Sequence, residues 1–482
     1  MSSRRALFLF LFALAVRLIY QAALSGWGGT NFATDSTMYM GFVENILENG
    51  QMAGADAPGP HSERMPLYPY FLALVFSLSG GINIGAVVSV QAIVDSLTVL
   101  AVAYLAAAID RHWALPAGIL AALWPNLIIS GAYILTDTLF LGFFSWGLAA
   151  CLWALRKPNP AAWLFVSGMG FGLALLTRPV LMFFPFLLLP GLAWLLKREL
   201  AATWPKAVRL AALPVIVMYA FVGPRMVDTY RHYGTPVVST QVGLHTANYF
   251  YPCLRTAWTC GDLPALHAEN RTLHSARLAA LPPEDAANPV ITDRLWRDLA
   301  VERVGALPLA RIAYGVLAGV TLNLFHTSIS QLGYQFKLKQ SSVLAGVLSP
   351  GVTFQERIST LRHAATTDWF TLAWLAALMV LGATRLIQLG GLIAGVRQKD
   401  MRGPILFLFF VALYFLAVNG PIGYARYRLP MEPTLIVLLV AGLAGSGLLD
   451  RIEGAVKRLR HTEKQPARSR RISAVTNIWK SP

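Results

Sequence analysis

The chain has 482 residues, 56% of them hydrophobic and only 13% charged, with a mean hydropathy of +0.53. Soluble domains carry about 25% charged residues, so this composition excludes a soluble globular class and predicts an all-α polytopic membrane protein. The net charge of +16 does not signal nucleic acid, because Lys and Arg cluster at the ends of apolar runs, where the positive-inside rule puts them. Three cysteines are too few for a disulfide scaffold.

A membrane span needs about 20 apolar residues, and in chain order the sequence predicts ten. The first runs from Ala6 to Leu24, with Arg4 and Arg5 holding its start in the cytoplasm. It is too long, and lacks the small-residue cleavage site, for a signal peptide. The second to seventh cover Ile84–Ile109, Leu115–Tyr133, Asp137–Leu155, Ala161–Leu176, Val180–Leu196 and Val208–Val222. The last three cover Phe370–Leu392, Ile405–Val418 and Met431–Leu449. Each inward arrival meets Lys or Arg, at Arg111, Arg156-Lys157, Lys197-Arg198 and Arg397. The first outer loop is then 25–83, inside an N-terminal membrane module of 1–223. Residues 224–367 form one long non-cytoplasmic region, 368–449 the C-terminal spans, and 450–482 a cytoplasmic tail with nine Lys/Arg against three Asp/Glu. Leu307–Phe325 is apolar but interrupted by Arg311 and Asn323, and reads as an interfacial helix. The stretch Pro66–Ser79 reads as another, because it is short and holds two prolines. No internal repeat and no soluble catalytic domain is visible.

The most informative stretch is 31–72. After Asp35, Met38, Phe42 and Ile46 recur every fourth residue, with Tyr39, Val43 and Leu47 beside them. This spacing puts them on one face of a helix that Gly50 ends. Glu44, Asn45 and Glu48 take the other face, so the helix lies in the membrane interface. A Gly/Pro loop follows, then Glu63-Arg64-Met65-Pro66-Leu67-Tyr68-Pro69. A carboxylate and a guanidinium at headgroup level suit a reaction on a lipid-linked anionic substrate.

Asn45-Ile46-Leu47-Glu48-Asn49-Gly50 followed by Arg64-Met65-Pro66-Leu67-Tyr68-Pro69 resembles the first outer loop of GT-C membrane glycosyltransferases. The nearest branch is the glycosyltransferase family 39 group of protein O-mannosyltransferases and lipid A aminoarabinose transferases. Where the mannosyltransferases have an Asp-Glu pair, this chain has Asp35-Ser36. Two further segments match: Arg178-Pro179, and Arg426-Tyr427-Arg428-Leu429-Pro430. A third, Gly234 to Asn248, resembles the family's stretch after the span that enters the long loop. The resemblance implies a sugar taken from a polyprenyl phosphate and passed to a glycan, lipid or protein acceptor on the non-cytoplasmic side of the inner membrane.

By spacing alone Asp35 reads as an N-cap, a favoured role for Asp; the resemblance makes it the base that takes the acceptor's proton. Arg64 reads either as an interfacial arginine or, by the resemblance, as the contact to the donor's phosphate. Arg426 and Arg428 are expected as further phosphate contacts, because the orientation rule gives no reason for arginines at the outer boundary. Asp137 is a second acidic candidate, with an exposed helix-start carboxylate as its alternative. Tyr39, Tyr68, Arg178, His245 and Asn248 are expected substrate contacts. Asp95, inside the second span, costs roughly 2.5–3.5 kcal/mol at a helix centre and is expected to make a buried contact between helices. Cys253 and Cys260, with six residues between them in an exported loop, are expected to pair. No second ligand accompanies His245, so no metal is expected, and no nucleotide motif is present, so no cofactor is. A lipid-linked polysaccharide ligase or polymerase would need a different base. A transporter would show charged residues along several spans and inverted repeats.

Overall fold

The computed structural model describes residues 1–52, 61–257, 263–338, 353–449 and 451, and every regular element among them is helical. Eight helices are long and apolar enough to cross a bilayer, or ten if each of two bent pairs counts as one span. The chain is therefore an all-α multi-pass membrane protein.

The first span, α1 (Ser3–Gly26), leads to α2 (Ser36–Asn49), which stops at Gly50 in the left-handed conformation, φ 71°. The short apolar α3 (Leu67–Leu78) packs on α2 and on α4 (Ile84–Ile109). The expected span from Leu115 to Tyr133 is instead broken: α5 (Ala114–Ala122) and α6 (Pro125–Gly131) meet at 52°. Pro125 explains the break, since it has no N–H to continue α5 and is suited to a helix start.

α7 (Asp137–Ala154), α8 (Pro160–Thr177) and α10 (Trp204–Tyr233) follow the expected spans, although α10 is far longer than predicted. The expected span Val180–Leu196 is a correction. A 3-10 turn at Pro179–Leu181 precedes α9 (Pro185–Glu199), only 15 residues long, because Pro179 and Pro185 each begin a new element and divide the apolar run, while Pro190 lies inside α9. Glycines let α8 sit tightly between its neighbours. A Cβ at Gly170 would lie 2.8 Å from the Phe143 carbonyl oxygen of α7, and one at Gly168 2.6 Å from Val217 of α10. Phe140, Phe144, Phe171, Phe184 and Phe415 interlock in the core beside this packing, with ring centroids 5.2–5.9 Å apart.

After α10, short helices α11 (Val242–His245) and α12 (Tyr251–Thr256) lead to α13 (Leu263–Ala279), α14 (Pro283–Ala286), α15 (Pro289–Gly305) and α16 (Leu309–Phe325). α15 and α16 meet at 112°. The last spans are α17 (Trp369–Arg397), α18 (Lys399–Asn419) and α19 (Glu432–Gly445), the last preceded by a 3-10 segment, Ala425–Met431.

The two buried charges of the first spans pair as a carboxylate among helices requires. Arg17 Nε donates to Asp95 Oδ2 at 2.7 Å, and both side chains are at most 3% exposed. Arg17 also donates to the carbonyl of Ala122 at 2.6 Å. That carbonyl is freed by the break, so the guanidinium caps the last turn of α5. Cys253 is disulfide-bonded and Cys151 is free and buried, whereas Cys260 and the tail from 452 lie outside the described residues.

Candidate functional site

Four charged side chains from four segments meet in a row at one end of the bundle. Asp137, the first residue of α7, accepts from Arg426 Nε at 2.8 Å through Oδ2 and from Arg178 through Oδ1. Arg426 also donates from Nη1 to Asp35 Oδ2 at 3.3 Å. Side-chain exposure rises along the row, from 2% at Asp137 through 22% at Arg426 to 37% at Asp35. Asp137 is thus the buried anchor that fixes two guanidiniums, and Asp35 is the most exposed carboxylate of the row. The exposed-carboxylate reading of Asp137 does not fit this burial.

The row is held from below by backbone accounting. The loop between α6 and α7 turns four carbonyls toward side chains of other segments. Gln91 Nε2 donates to Gly131 at 3.1 Å and Tyr133 at 2.8 Å, Asn31 Nδ2 to Ala132 at 2.7 Å, and Ser36 Oγ to Ile134 at 3.0 Å. Asn31 and Ser36 flank Asp35, so the contacts that place Asp137 also place Asp35. Asp35 makes no side-chain capping bond to α2, and its φ and ψ, −78° and −14°, are already helical rather than cap-like. The capping role read from spacing is not the one its carboxylate performs.

Arg64 stands in a second arrangement, a clamp between two loops. Thr240 N donates to the Ser62 carbonyl at 3.1 Å, the Ser62 and Thr240 hydroxyls lie 2.9 Å apart, and Ser239 Oγ donates to the Glu63 carbonyl at 2.7 Å. Arg225 of α10 donates to the carbonyls of Ser62, Arg64 and Val238 at 2.8, 3.0 and 2.8 Å. With its amide in the satisfied orientation, Gln241 accepts from Arg64 Nε at 3.0 Å and Nη1 at 2.7 Å. The guanidinium is therefore held before any ligand arrives, and Arg64 as a residue is half-buried.

Electrostatics join the clamp to the row. Burial, reinforced by the charge of Arg64, lowers His245 to about 4, opposed by Asp35. His245 is therefore neutral at physiological pH. Its ring lies 5.1 Å from that of Tyr249. His61 is likewise lowered to about 4 by burial and by Arg225 and Arg64. Burial raises Glu63, with Arg64 opposing and Asp293 adding to the shift. Burial also raises Asp293, against the two N–H groups it accepts.

The other expected site residues divide. Tyr39 stacks edge-on against Tyr68 at 5.2 Å, and Tyr68 is fully buried with its hydroxyl on Gln91 Oε1 at 2.9 Å. Tyr68 is therefore a support for the row, not a substrate contact. Arg428 is also corrected. It is 2% exposed, donates to Glu432 Oε1 at 2.7 Å and to the carbonyls of Asn323 and His326 at 2.8 and 2.9 Å, and turns away from the row. Asn126 joins the same buried network through Glu432 Oε1 at 2.9 Å. Asn248 is 7% exposed, and its Oδ1 is buried without a protein partner. Sequence reasoning missed Arg225 and Gln241, whose roles depend on a loop-to-loop meeting 161 to 178 residues apart that no local pattern announces. Among the described residues no group of three or more His, Cys, Asp or Glu side chains is placed to hold a metal ion.

Comparison with known proteins agrees with the motifs. Residues 59–220 match the family model of dolichyl-phosphate-mannose-protein mannosyltransferase, which takes in Arg64, Asp137 and Arg178. No curated protein sequence matches the chain. Among solved structures, the oligosaccharyltransferase of Archaeoglobus fulgidus tethered to an acceptor peptide overlays with a TM-score of 0.55 at 14% identity, covering 95% of this chain and 51% of that one. AglB of the same organism, with an inhibitory peptide and a dolichol-phosphate, overlays at 0.51 and 13% identity, with the same coverage of 95% and 51%. ArnT from Cupriavidus metallidurans bound to undecaprenyl phosphate gives 0.38 at 15% identity, covering 96% of this chain and 82% of that one. The chain spans about half the length of the archaeal enzyme. These findings bear out the resemblance to GT-C membrane glycosyltransferases and their all-helical fold.

Proposed function

We propose that this chain, a relative of the GT-C membrane glycosyltransferases, moves a sugar from a polyprenyl-phosphate donor to an acceptor by single displacement with inversion. The observation that carries the reading is the pairing of two prepared groups. Asp35 is the open carboxylate of a fixed ionic row, Arg64 is a guanidinium held in a separate clamp, and the charges of both act on the same side chain, His245.

The acceptor hydroxyl gives its proton to Asp35 while its oxygen bonds to the sugar's anomeric carbon. The bond from that carbon to the donor phosphate breaks, and the electron pair leaves with the polyprenyl phosphate. Arg64 pairs with the phosphate oxygens and meets the charge that grows on them, the transition-state interaction that accelerates the step. Arg426, held on its inner side by Asp137, offers a second guanidinium beside Asp35. Neutral His245, with Tyr249, borders the sugar's space. No step requires a metal or a nucleotide.

The opposite end of the bundle carries Arg111, Arg156, Lys157, Lys197, Arg198, Lys399 and Arg402, which by the orientation rule is the cytoplasmic side. The site then faces out. Reporters fused after Pro283 and after Leu449 test this: the first is expected to behave as exported and the second as cytoplasmic. The chemistry is tested in nanodiscs by release of undecaprenyl phosphate from an undecaprenyl-phosphate sugar, with the sugar identified from the lipid that accumulates in a deletion strain. Absence of lipid-linked sugar in that strain, together with no release in vitro, overturns the reading.

A further inference from the structure

The clamp on Arg64 has a far side that the proposed reaction leaves unused. Gln241, which holds the guanidinium, is the residue before α11, and its carbonyl accepts from His245 N at 2.9 Å. The next two N–H groups, of Gly243 and Leu244, have no partner within so short a turn. Both are taken by one carboxylate oxygen from another element: Asp293 Oδ1 of α15, at 2.8 and 3.2 Å.

The approach is as close as backbones allow. A Cβ on Gly243 would stand 2.0 Å from the Asp293 carbonyl oxygen and 2.7 Å from Arg297 N, so only glycine fits there. Apolar packing seals the same junction, with Ala247 and Leu244 against Trp296, Leu299 and Ala300. The loop 238–245 is thus pinned at both ends. One end is zipped to 62–64 through Ser62, Ser239 and Arg225, and the other is held by Asp293.

We infer that Asp293 is a positioning residue for the donor site: it fixes the 241–245 turn, and through Gln241 it fixes the guanidinium of Arg64 for the phosphate. Asp293 reaches the donor only through these two residues. An arginine left unheld spreads over many rotamers, and ordering it then has to come out of the donor's binding energy. A held one is ready, so the junction of α15 with the 238–245 loop presets the phosphate contact. The inference rests on the reading of Arg64 as that contact.

The test uses the full chain in nanodiscs, with undecaprenyl phosphate as the binding probe and the sugar-charged lipid for kinetics. Asp293→Ala is expected to weaken probe binding and raise the donor KM by about tenfold, the usual scale for removing a charge-assisted hydrogen bond. Turnover at saturating donor should fall alongside the rise in KM, because Arg64 also meets the charge that grows on the phosphate in the transition state. Asp293→Asn keeps the accepting oxygen and should recover most of the affinity. In an Arg64→Ala background, Asp293→Ala should add nothing further to the loss of probe binding, since the two act through one contact.

A fall in turnover with unchanged KM, no recovery by Asn, or additive losses with Arg64→Ala each overturns the inference. If Asp293→Ala does not fold, Asp293→Ser, whose shorter side chain does not reach both N–H groups, is put through the same measurements and is expected to show the same loss of probe binding. Wild-type protein that fails to bind undecaprenyl phosphate removes the donor reading itself. Wild-type binding that Asp293→Ala leaves intact removes only the role of Asp293.

Discussion

The two ends of the bundle carry charge in different ways. At the site end, Asp35, Asp137, Arg178 and Arg426 neutralise one another in a half-buried row, and Arg64 is fixed by a glutamine. At the other end, most basic side chains meet backbone carbonyls or indole rings. Arg156 donates to Ala108 and Ile109 at 3.0 and 3.2 Å and Arg198 to Lys399 at 3.2 Å, while Lys157 lies 5.1 Å from Trp153 and Lys197 5.2 Å from Trp204. Arg198 has a carboxylate partner, its neighbour Glu199, with both side chains part exposed. Charge at that end closes helix termini and anchors the chain at the headgroups. Charge at the site end is arranged against other charge, so that the pairing offsets the desolvation cost.

The sharpest break in this comparison is Asp35→Asn. It removes the proton acceptor while keeping the shape, and should lower transfer by about 10² to 10⁴. Undecaprenyl-phosphate binding and chromatographic behaviour should stay near wild type. Near-normal transfer would make Asp35 only a partner of Arg426 and move the base to Asp137.

Asp137→Ala acts on stability. It strands two guanidiniums that share one buried carboxylate, and breaking such a pair costs about 3–5 kcal/mol, to be read from unfolding in detergent. Lys197→Ala at the other end should cost less than about 1 kcal/mol, with transfer unchanged. Equal losses at the two ends would erase the distinction.

The last effect is in the pH dependence. His245 sits at about 4 in the folded protein against an ordinary 6.5. Between these values the unfolded chain binds more protons, so stability falls as the pH drops from about 6.5 toward 4. Protonation would set a cation against Arg64 and Arg178, with Asp35 the opposing charge. His245→Asn should flatten that part of a melting-temperature profile, and an unchanged slope would place its cause elsewhere.

What the sequence disclosed follows from the range of each interaction. Eight spans, α2 with its Gly50 stop and α3 were legible because periodicity and glycine act within one element. Asp35, Asp137, Arg178 and Arg426 were legible as separate residues at one membrane boundary, but not as a row. Their junction depends on Asn31, Ser36 and Gln91 meeting a loop 40 to 101 residues away. Arg428 was misread because position at a boundary does not say which way a side chain turns; two residues after Arg426, it faces α16 and Glu432. The divided run at Val180–Leu196 was readable from Pro179 just before it and Pro185 within it, whose weight a count of apolar residues hides.

The pair between Arg17 and Asp95 also bears on how the protein is made. The two residues lie 78 positions apart, so at roughly 5–20 residues per second Arg17 is synthesised about 4–16 seconds before its counter-ion. During that interval the first helix carries a lone cation that lipid receives at a cost of roughly 2.5–3.5 kcal/mol. The two helices become a neutral unit only when Asp95 emerges. The insertion machinery therefore has reason to retain α1 until α4 arrives and to release them together.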